Sequence, residues 1–350
     1  MTMDARLDAS GEQAMTDHVP SPPPSLKHST VEVGLSAAII AVRDDEPEVL
    51  TVRSEQGPRM PFDALPSGPF SPVDHRTLES GLRSWVSEQT GLDLGYVEQL
   101  YTFGDRGRQA LPDDSSPHVV SIGYLALTRP DPDNDIGPAR WRSWYDFFPW
   151  EDWRNGKPAL LSEVLEPKLL EWAAQPVASG THVRPAERQE RLRIMFGMDG
   201  GAWDEEKVLE RYELLYETGL AEEAHRDGGP AARDWNPLPK LGVSMHLDHR
   251  RILATSIGRT RAKIKYRPVI FELMPDDFTL FDLQKTVEAI LGPHLHKQNF
   301  RRLVESAGLV ETTGEVRVKT GGRPAKLYRF RREVLLERPA PGVRVKPSRN

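Results

Sequence analysis

Residues 68–92 of this 350-residue chain contain glutamates on a predicted helix, and carboxylates in such a position could hold a metal ion. Glutamates one helical turn apart share a face, so several of them can converge on magnesium and neutralise phosphate charge during pyrophosphate cleavage. Here only Glu79 and Glu88 are present, and nine residues at about 100° each place them on opposite faces. The spacing therefore predicts no catalytic residue and no metal ligand.

The same segment resembles the Nudix box, the helical motif of hydrolases that cleave nucleoside-diphosphate-linked compounds. Its end matches, with Glu88 followed by the Thr-Gly-Leu of residues 90–92. Its core departs from the motif, because Ser84 and Trp85 stand in place of an Arg-Glu pair and Gln89 replaces the second glutamate. The resemblance implies a Nudix-like fold that no longer hydrolyses its ligand. A chance amphipathic helix is the alternative.

Composition limits the class of protein. A length of 350 residues suggests two to three domains, and a net charge of −6 gives no global attraction to nucleic acid. There is no cysteine, which excludes disulfides and thiolate metal sites. The longest apolar run, residues 35–42, is too short to span a bilayer, and the first residues lack the apolar core of a secretory signal. We therefore expect a cytoplasmic protein without a membrane partner.

Changes of pattern along the chain predict an α+β protein: a Nudix-like α/β/α sandwich, then a helical insert and a C-terminal winged helix-turn-helix domain. The sandwich follows from a strand, strand, helix, strand, strand order. The predicted parts are a disordered arm (1–29), the Nudix-like sensor domain (30–138), the helical insert and linker (139–240), the winged-helix domain (246–335) and a disordered tail (336–350).

The insert is rich in aromatic residues and in helical periodicity. We expect its aromatic side chains to pack a helix onto the sensor rather than to stack nucleobases, because aromatic residues contribute most to core burial. These residues are Trp141, Trp144, Phe147, Phe148, Trp150 and Trp153. Helices are predicted at residues 160–174, 187–196 and 204–217, the last with Asp204 as its N-cap and Gly219 as its C-cap.

The C-terminal part combines a helix-turn-helix pattern with a local excess of positive charge. Helices are predicted at residues 248–265 and 279–291 and in a third segment ended by Gly308, followed by two strands around a Gly-rich tip. Residues 294–332 carry ten basic and three acidic side chains, a local charge of +7 that suits phosphate neutralisation. A solvated basic face is the alternative.

The third predicted helix is the candidate recognition helix. Its apolar residues Phe300, Leu303 and Val304 are expected to be buried. Its polar residues are expected to meet base edges, since Asn and Gln pair with adenine and Arg with guanine. The predicted DNA-binding residues, including two of the wing, are Lys297, Gln298, Asn299, Arg301, Arg302, Arg323 and Lys326.

Both halves together resemble the NrtR-type transcriptional regulators, in which a Nudix-like sensor is fused to a winged helix. The resemblance lies in residues 102–108 and 118–127 of the sensor, in residues 248–275, and in the winged helix at 278–330. The helical insert and the long N-terminal arm suggest the NadQ-like branch. The family implies repression of NAD biosynthesis genes, a homodimer on double-stranded operator DNA, and control by an effector nucleotide (ADP-ribose, NAD or ATP), with no cofactor required.

Candidate effector contacts follow from the chemistry of a pyrophosphate, because guanidinium groups bind it through two hydrogen bonds. Each arginine could equally be a surface charge, and the tryptophan could stack a nucleobase or fill the vacated metal pocket. The predicted ligand-binding residues are Arg53, Arg59, Trp85, Glu88, Arg106 and Arg108.

Two other functions remain open from the sequence. The first is an active pyrophosphohydrolase for ADP-ribose or NAD, using Glu79, Glu88 and Glu98 as unusual carboxylates. The second is a DNA-binding protein whose Nudix-like domain is purely structural. In the preferred hypothesis the helix at residues 248–265 transmits the ligand signal to paired recognition helices.

Overall fold

The computed structural model describes residues 31–54, 62–105, 107–108, 118–129, 136–176, 185–229, 231, 235–318 and 324–334. The predicted arm and tail therefore lie outside the described residues, as do three predicted site residues. These are Arg59, Arg106 and Arg323.

The N-terminal half is built on a seven-stranded mixed sheet with the central order β3-β2-β1-β6-β5. Strands β1 and β6 run parallel, whereas β4 and β7 pair antiparallel with β1 and β2. The turn between β1 and β2 uses Asp44 and Asp45 at φ 50° and 64°, the left-handed geometry that suits a tight hairpin. The strands are β1 Val31–Arg43, β2 Glu46–Ser54, β3 Phe62–Ala64, β4 Ser67–Pro69, β5 Tyr96–Phe103, β6 His118–Leu127 and β7 Arg140–Ser143.

One face of the sheet is covered by α1, Leu78–Thr90, which is the helix of the Nudix-like segment. Thr77 caps its first turn by accepting a hydrogen bond from the Ser80 backbone N–H, and Gly91 ends it at φ 67°. The helix packs Leu82 and other apolar side chains into a core with β1 and β6. The predicted helix is therefore confirmed.

The remaining elements follow in one run of helices and a terminal hairpin. A π-helical turn, Leu161–Leu165, leads into α3, and 3-10 turns lie at Pro149–Glu151 and Pro268–Leu273. The helices are α2 Trp144–Phe147, α3 Glu166–Ala174, α4 Pro185–Phe196, α5 Val208–Glu217, α6 Glu222–Arg226, α7 His249–Tyr266, α8 Leu280–Leu291 and α9 Lys297–Ala307; the hairpin strands are β8 Val310–Arg317 and β9 Ala325–Phe330.

Helix α7 covers the second face of the sheet and completes the α/β/α sandwich. Gly123 of β6 permits this contact, because a Cβ there would lie 3.0 Å from Ile252 Cγ2. Ile252, Leu253 and Ile257 are fully buried in the resulting core. The sequence had grouped this helix with the winged-helix domain, but its packing makes it a layer of the sensor as well. Likewise β7 continues the sensor sheet beyond the predicted boundary at residue 138.

Five of the six aromatic residues of the insert lie in the same core as α7, as the composition predicted, whereas Trp141 packs in the core on the α1 side of the sheet. Trp144 and Trp150 are fully buried, together with the two phenylalanines between them. Both cap predictions for the helix at residues 204–217 were wrong. Helix α5 begins at Val208, because Asp204 accepts the Glu206 N–H in a turn that precedes the helix. Its C-cap is Thr218 rather than Gly219.

A fully buried ion triad joins the insert to α7. Glu151 receives two hydrogen bonds from Arg211 of α5, at 2.6 and 2.8 Å, and one from Arg261 of α7, at 2.7 Å. All three side chains are 0% exposed. Arg261 also donates to the carbonyl oxygens of Ile290, Glu205 and Glu151, so each of its three nitrogens has a partner. Insert, sandwich and winged helix therefore share one polar centre.

We predict that Glu151→Ala destabilises the protein by roughly 3–5 kcal/mol, because it leaves two buried guanidinium groups without their counter-charge. The measurement is the free energy of unfolding from urea titration. The matched control is Glu217→Ala on α5, the helix that carries Arg211; it breaks the exposed pair with Arg191 of α4 and should cost no more than about 1 kcal/mol. Equal effects of the two substitutions would contradict a special contribution from the triad.

A carboxyl group at the N-terminus of α7 makes the free energy of unfolding depend on pH. Burial raises the pKa of Asp248 to about 7, against the opposing influence of Arg251 and Arg108, and Glu213 raises it further. Between about pH 4 and pH 7 the folded chain holds a proton that the unfolded chain has already released. The free energy of unfolding therefore falls as the pH rises from about 4 to about 7.

We therefore predict that the free energy of unfolding of Asp248→Asn, minus that of wild type, rises by on the order of 2 kcal/mol between pH 5 and pH 8. Urea unfolding of both proteins at the two pH values measures the difference. Asp276→Asn is the control, since Arg129 lowers the pKa of that exposed carboxyl and it stays charged over this range. A pH-independent difference for Asp248→Asn would contradict the prediction.

Candidate functional site

The candidate recognition helix α9 has one buried and one open face. Phe300 and Val304 are buried and Leu303 is partly buried, as the apolar spacing predicted. The five predicted DNA-binding residues of this helix are all exposed. They are Lys297, Gln298, Asn299, Arg301 and Arg302.

Within the described part of the chain, these five side chains make no ion pair and no side-chain hydrogen bond. Other arginines of the basic patch are already paired: Arg317 with Asp282 at 2.8 Å and Arg329 with Glu311 at 2.7 Å. Lys326 of β9 is exposed, and it too has no partner among the residues that the structure describes. The structure thus separates basic residues that support the winged helix from those whose charge is available to phosphates.

The hairpin of β8 and β9 is attached to the helices by main-chain and aromatic contacts. Phe278 and Tyr328 exchange backbone hydrogen bonds of 2.9 and 2.8 Å just before α8. Phe271 stacks on Phe330 with 4.3 Å between ring centroids. Thr279 caps α8 in a reciprocal hydrogen-bond pair with Asp282. These contacts hold the wing against the start of α8 and the 3-10 turn before it, and the elements follow in the order that the sequence predicted.

The C-terminal end of α8 is bound to the sandwich. Tyr145 donates to the carbonyl oxygen of Ala289 at 3.0 Å, and Arg261 Nε donates to that of Ile290 at 2.9 Å. The chain then turns at Gly292, beside Trp153, and enters α9. The orientation of the recognition helix is therefore set by contacts with the insert and with α7.

On the other side of the sheet, the altered Nudix positions hold α1 against β4. Trp85 Nε1 donates to the Pro69 carbonyl oxygen at 2.9 Å, and Gln89 exchanges two hydrogen bonds with the Ser67 backbone, at 2.7 and 3.1 Å. A Cβ on Gly68 would lie 2.3 Å from the Trp85 ring, so the indole rests on the glycine backbone. Glu88 is exposed two residues before the end of the helix.

The carboxylates of the hydrolase alternative are engaged separately. Glu79 pairs with Arg83 at 2.8 Å, whereas Glu98 pairs with Lys263 of α7. In the residues that the structure describes, no group of three His, Cys, Asp or Glu side chains is arranged to hold a metal ion. The described geometry thus offers Glu88 no converging acidic partners.

The predicted effector residues that the structure describes do not form one site. Trp85 and Glu88 lie on the α1 side of the sheet, and Arg53 is exposed near the end of β2. Arg108 lies on the opposite side, with its guanidinium bound to both carboxylate oxygens of Glu213 at 2.9 and 3.0 Å. Arg108 is thus not an open guanidinium in this structure, because Glu213 occupies both of its donor positions, and its role as an effector ligand stays a prediction.

Arg108 belongs to a cluster that sequence reasoning missed. Burial opposes its charge, but the Glu213 hydrogen bonds outweigh this effect and raise its pKa above the usual range. Arg251 of α7 pairs with Asp105 of the same sensor loop, and its Nε lies 2.6 Å from Glu213 Oε1. These residues are separated by up to 146 positions, so no local spacing signals that they meet.

Comparison with known proteins gives the winged helix a family. A profile of the NrtR DNA-binding winged helix domain matches residues 270–330. The "ADPR responsive transcriptional repressor NtrR" of Acinetobacter baylyi is 39% identical over 98 residues, which span 28% of this chain and 39% of that protein. No helix in the described residues has the length and apolar character needed to cross a membrane.

Two solved structures are similar in fold to most of the chain. NrtR of Shewanella oneidensis in complex with a 27mer DNA has a TM-score of 0.50 and 19% identity, covering 86% of this chain and 94% of that one. The same NrtR without DNA gives the same score and identity, covering 95% of its own chain. Assignment to the NadQ-like branch stays a prediction. Residues 270–330 match the NrtR DNA-binding winged helix domain, and the fold of the chain is similar to that of the Shewanella oneidensis NrtR structures.

Proposed function

We propose that this protein is a DNA-binding transcriptional regulator, a repressor whose Nudix-like domain senses an NAD-related nucleotide. The observation that carries the proposal is the open face of α9. Five polar and basic side chains stand there without partners in the described chain, on a helix whose other face is buried. Such a face can contact base edges and phosphates without first breaking an ion pair.

The name of the Acinetobacter baylyi relative supports repression and supports ADP-ribose as the first effector to test. NAD and ATP are the further candidates, and genes of NAD biosynthesis are the proposed targets. We also propose a homodimer, because one α9 reads a short half-site and two related copies double the contacts along the duplex.

Sensing rather than hydrolysis is the role we infer for the Nudix-like domain. Its support is the use of Trp85 and Gln89 to bind β4, at positions where the family's catalytic motif carries glutamates. A pyrophosphate could bind such a domain without being cleaved, because cleavage needs metal-bound charge stabilisation in the transition state.

We predict that Arg301→Ala and Arg302→Ala each weaken operator binding by about 1–3 kcal/mol, roughly five- to 150-fold in Kd. Full-length protein is titrated on the NAD-biosynthesis promoter fragments by fluorescence anisotropy at two salt concentrations. Loss of a phosphate contact lowers the salt slope by about 1, whereas loss of a base contact reduces discrimination against non-operator DNA.

The matched control for these variants is Arg193→Ala, an exposed arginine on α4 outside the winged helix, which should leave Kd unchanged. Wild-type affinity in both Arg301→Ala and Arg302→Ala would remove α9 from the interface. Unchanged thermal unfolding of the variants separates a lost contact from a lost fold.

We predict that the protein with ADP-ribose and magnesium releases AMP far below about 1 per second, the low end of ordinary enzymatic rates. Glu88→Gln should leave that residual rate and DNA binding unchanged, since no acidic partners converge with Glu88 in the described residues. Chromatography of the nucleotides measures both. Turnover at an ordinary rate that Glu88→Gln abolishes would instead support the hydrolase.

A further inference from the structure

Five ionisable residues from three elements meet at the start of α7. They form what we call the loop–helix joint: Asp105 and Arg108 of the loop after β5, Glu213 of α5, and Asp248 and Arg251 of α7. The loop thus contacts both the insert and the first turn of α7 through paired charges.

Arg108 is the centre of the joint. Its side chain is only 11% exposed, and its guanidinium carbon lies 3.5 Å from the centroid of the Tyr216 ring. The two hydrogen bonds to Glu213 fix the guanidinium group within its plane, and the stacking on Tyr216 fixes the tilt of that plane. Asp248, the N-cap of α7, lies 3.9 Å from the same group. This geometry ties the loop to α7 more tightly than a surface ion pair would.

Helix α7 connects the joint with the DNA-binding domain. Arg251 in its first turn and Arg261 are ten residues apart, which is about 15 Å along a helix. Arg261 reaches both Glu151 in the insert and the carbonyl oxygen of Ile290 at the end of α8. The helix is rigidly packed between these points, because a Cβ on Gly258 would lie 2.6 Å from the Glu206 carbonyl oxygen.

We propose that the loop–helix joint couples the sensor to the winged helix, with Arg108 and Glu213 as positioning residues that touch neither DNA nor effector. This rests on the proposed function. Effector binding in the Nudix-like domain shifts the loop after β5, the joint moves the first turn of α7 with it, and α7 reorients α8 and hence α9. A ligand acts this way only through different affinities for the two arrangements.

The test compares two substitutions one turn apart on α5 of the full-length protein. Glu213→Gln weakens the joint, and Glu217→Gln weakens the exposed fork of 2.5–2.8 Å with Arg191, which makes no sensor contact. Operator Kd is measured without and with saturating ADP-ribose, and ADP-ribose Kd is measured by calorimetry without and with operator. Their ratios give the same coupling factor, because linkage is reciprocal.

We expect wild type and Glu217→Gln to share one coupling factor, of about 5–150. Glu213→Gln should bring it below about 2, while the operator Kd without effector changes less than about threefold. The rate of backbone amide hydrogen exchange in residues 249–253 should change when ADP-ribose is added to wild type, and should not change in Glu213→Gln. A merely structural role would shift thermal stability and leave the coupling factor intact.

If Glu213→Gln keeps the coupling factor of wild type, the loop–helix joint does not couple the two domains, and the proposed function is unaffected. A wild type that binds operator but shows no coupling to ADP-ribose, NAD or ATP overturns the sensor function and the joint with it. Should Glu213→Gln fail to fold, Arg108→Lys takes its place. It keeps the charge and loses the two-pronged contact with Glu213, so full coupling in that variant is equally decisive against the joint.

Discussion

Glu151 has no contact with water, and a carboxylate in that position must be matched by positive charge, because an unpaired buried ion costs several kcal/mol. Arg211 and Arg261 supply that charge from two different helices. Their remaining donors are taken up by carbonyl oxygens of the insert and of α8, so the position of each element depends on the others. A sensor, an insert and a DNA-binding domain that look separate along the chain are thereby combined in one core.

The insert has a clear physical role in this arrangement. Its aromatic residues fill the space between the sheet, α7 and α8, and its acids neutralise the arginines that α7 carries into the interior. Arg250 illustrates the same principle, since it is buried against Glu223 and the Phe147 carbonyl oxygen. An α7 with these arginines would be unstable in a chain that lacked the insert, so helix and insert must be considered as a unit.

Local signals predicted most of the elements and the open face of α9. Alternating and continuous apolar runs gave the strands, and Thr279 and Gly308 marked the ends of the winged-helix pair. Relations between distant residues were beyond such signals. For Trp85 the spacing allowed either nucleobase stacking or pocket filling, and the structure shows its indole bonded to β4. Arg108 read as a free guanidinium because Glu213, its partner, is 105 positions away.

The packing of α7 in both parts of the molecule has a consequence for how this fold can diversify. A helix that forms one layer of the sandwich cannot be exchanged together with the DNA reader, because its apolar face and buried arginines would lose their partners. If another DNA-binding domain replaced the winged helix, by evolution or by design, it would have to join the chain after α7, near Arg267 and Pro268. It must also present carbonyl acceptors to Arg261 where α8 does now. The boundary at which the DNA-binding domain could be exchanged therefore lies inside residues 246–335, the range that the sequence alone assigns to the winged-helix domain.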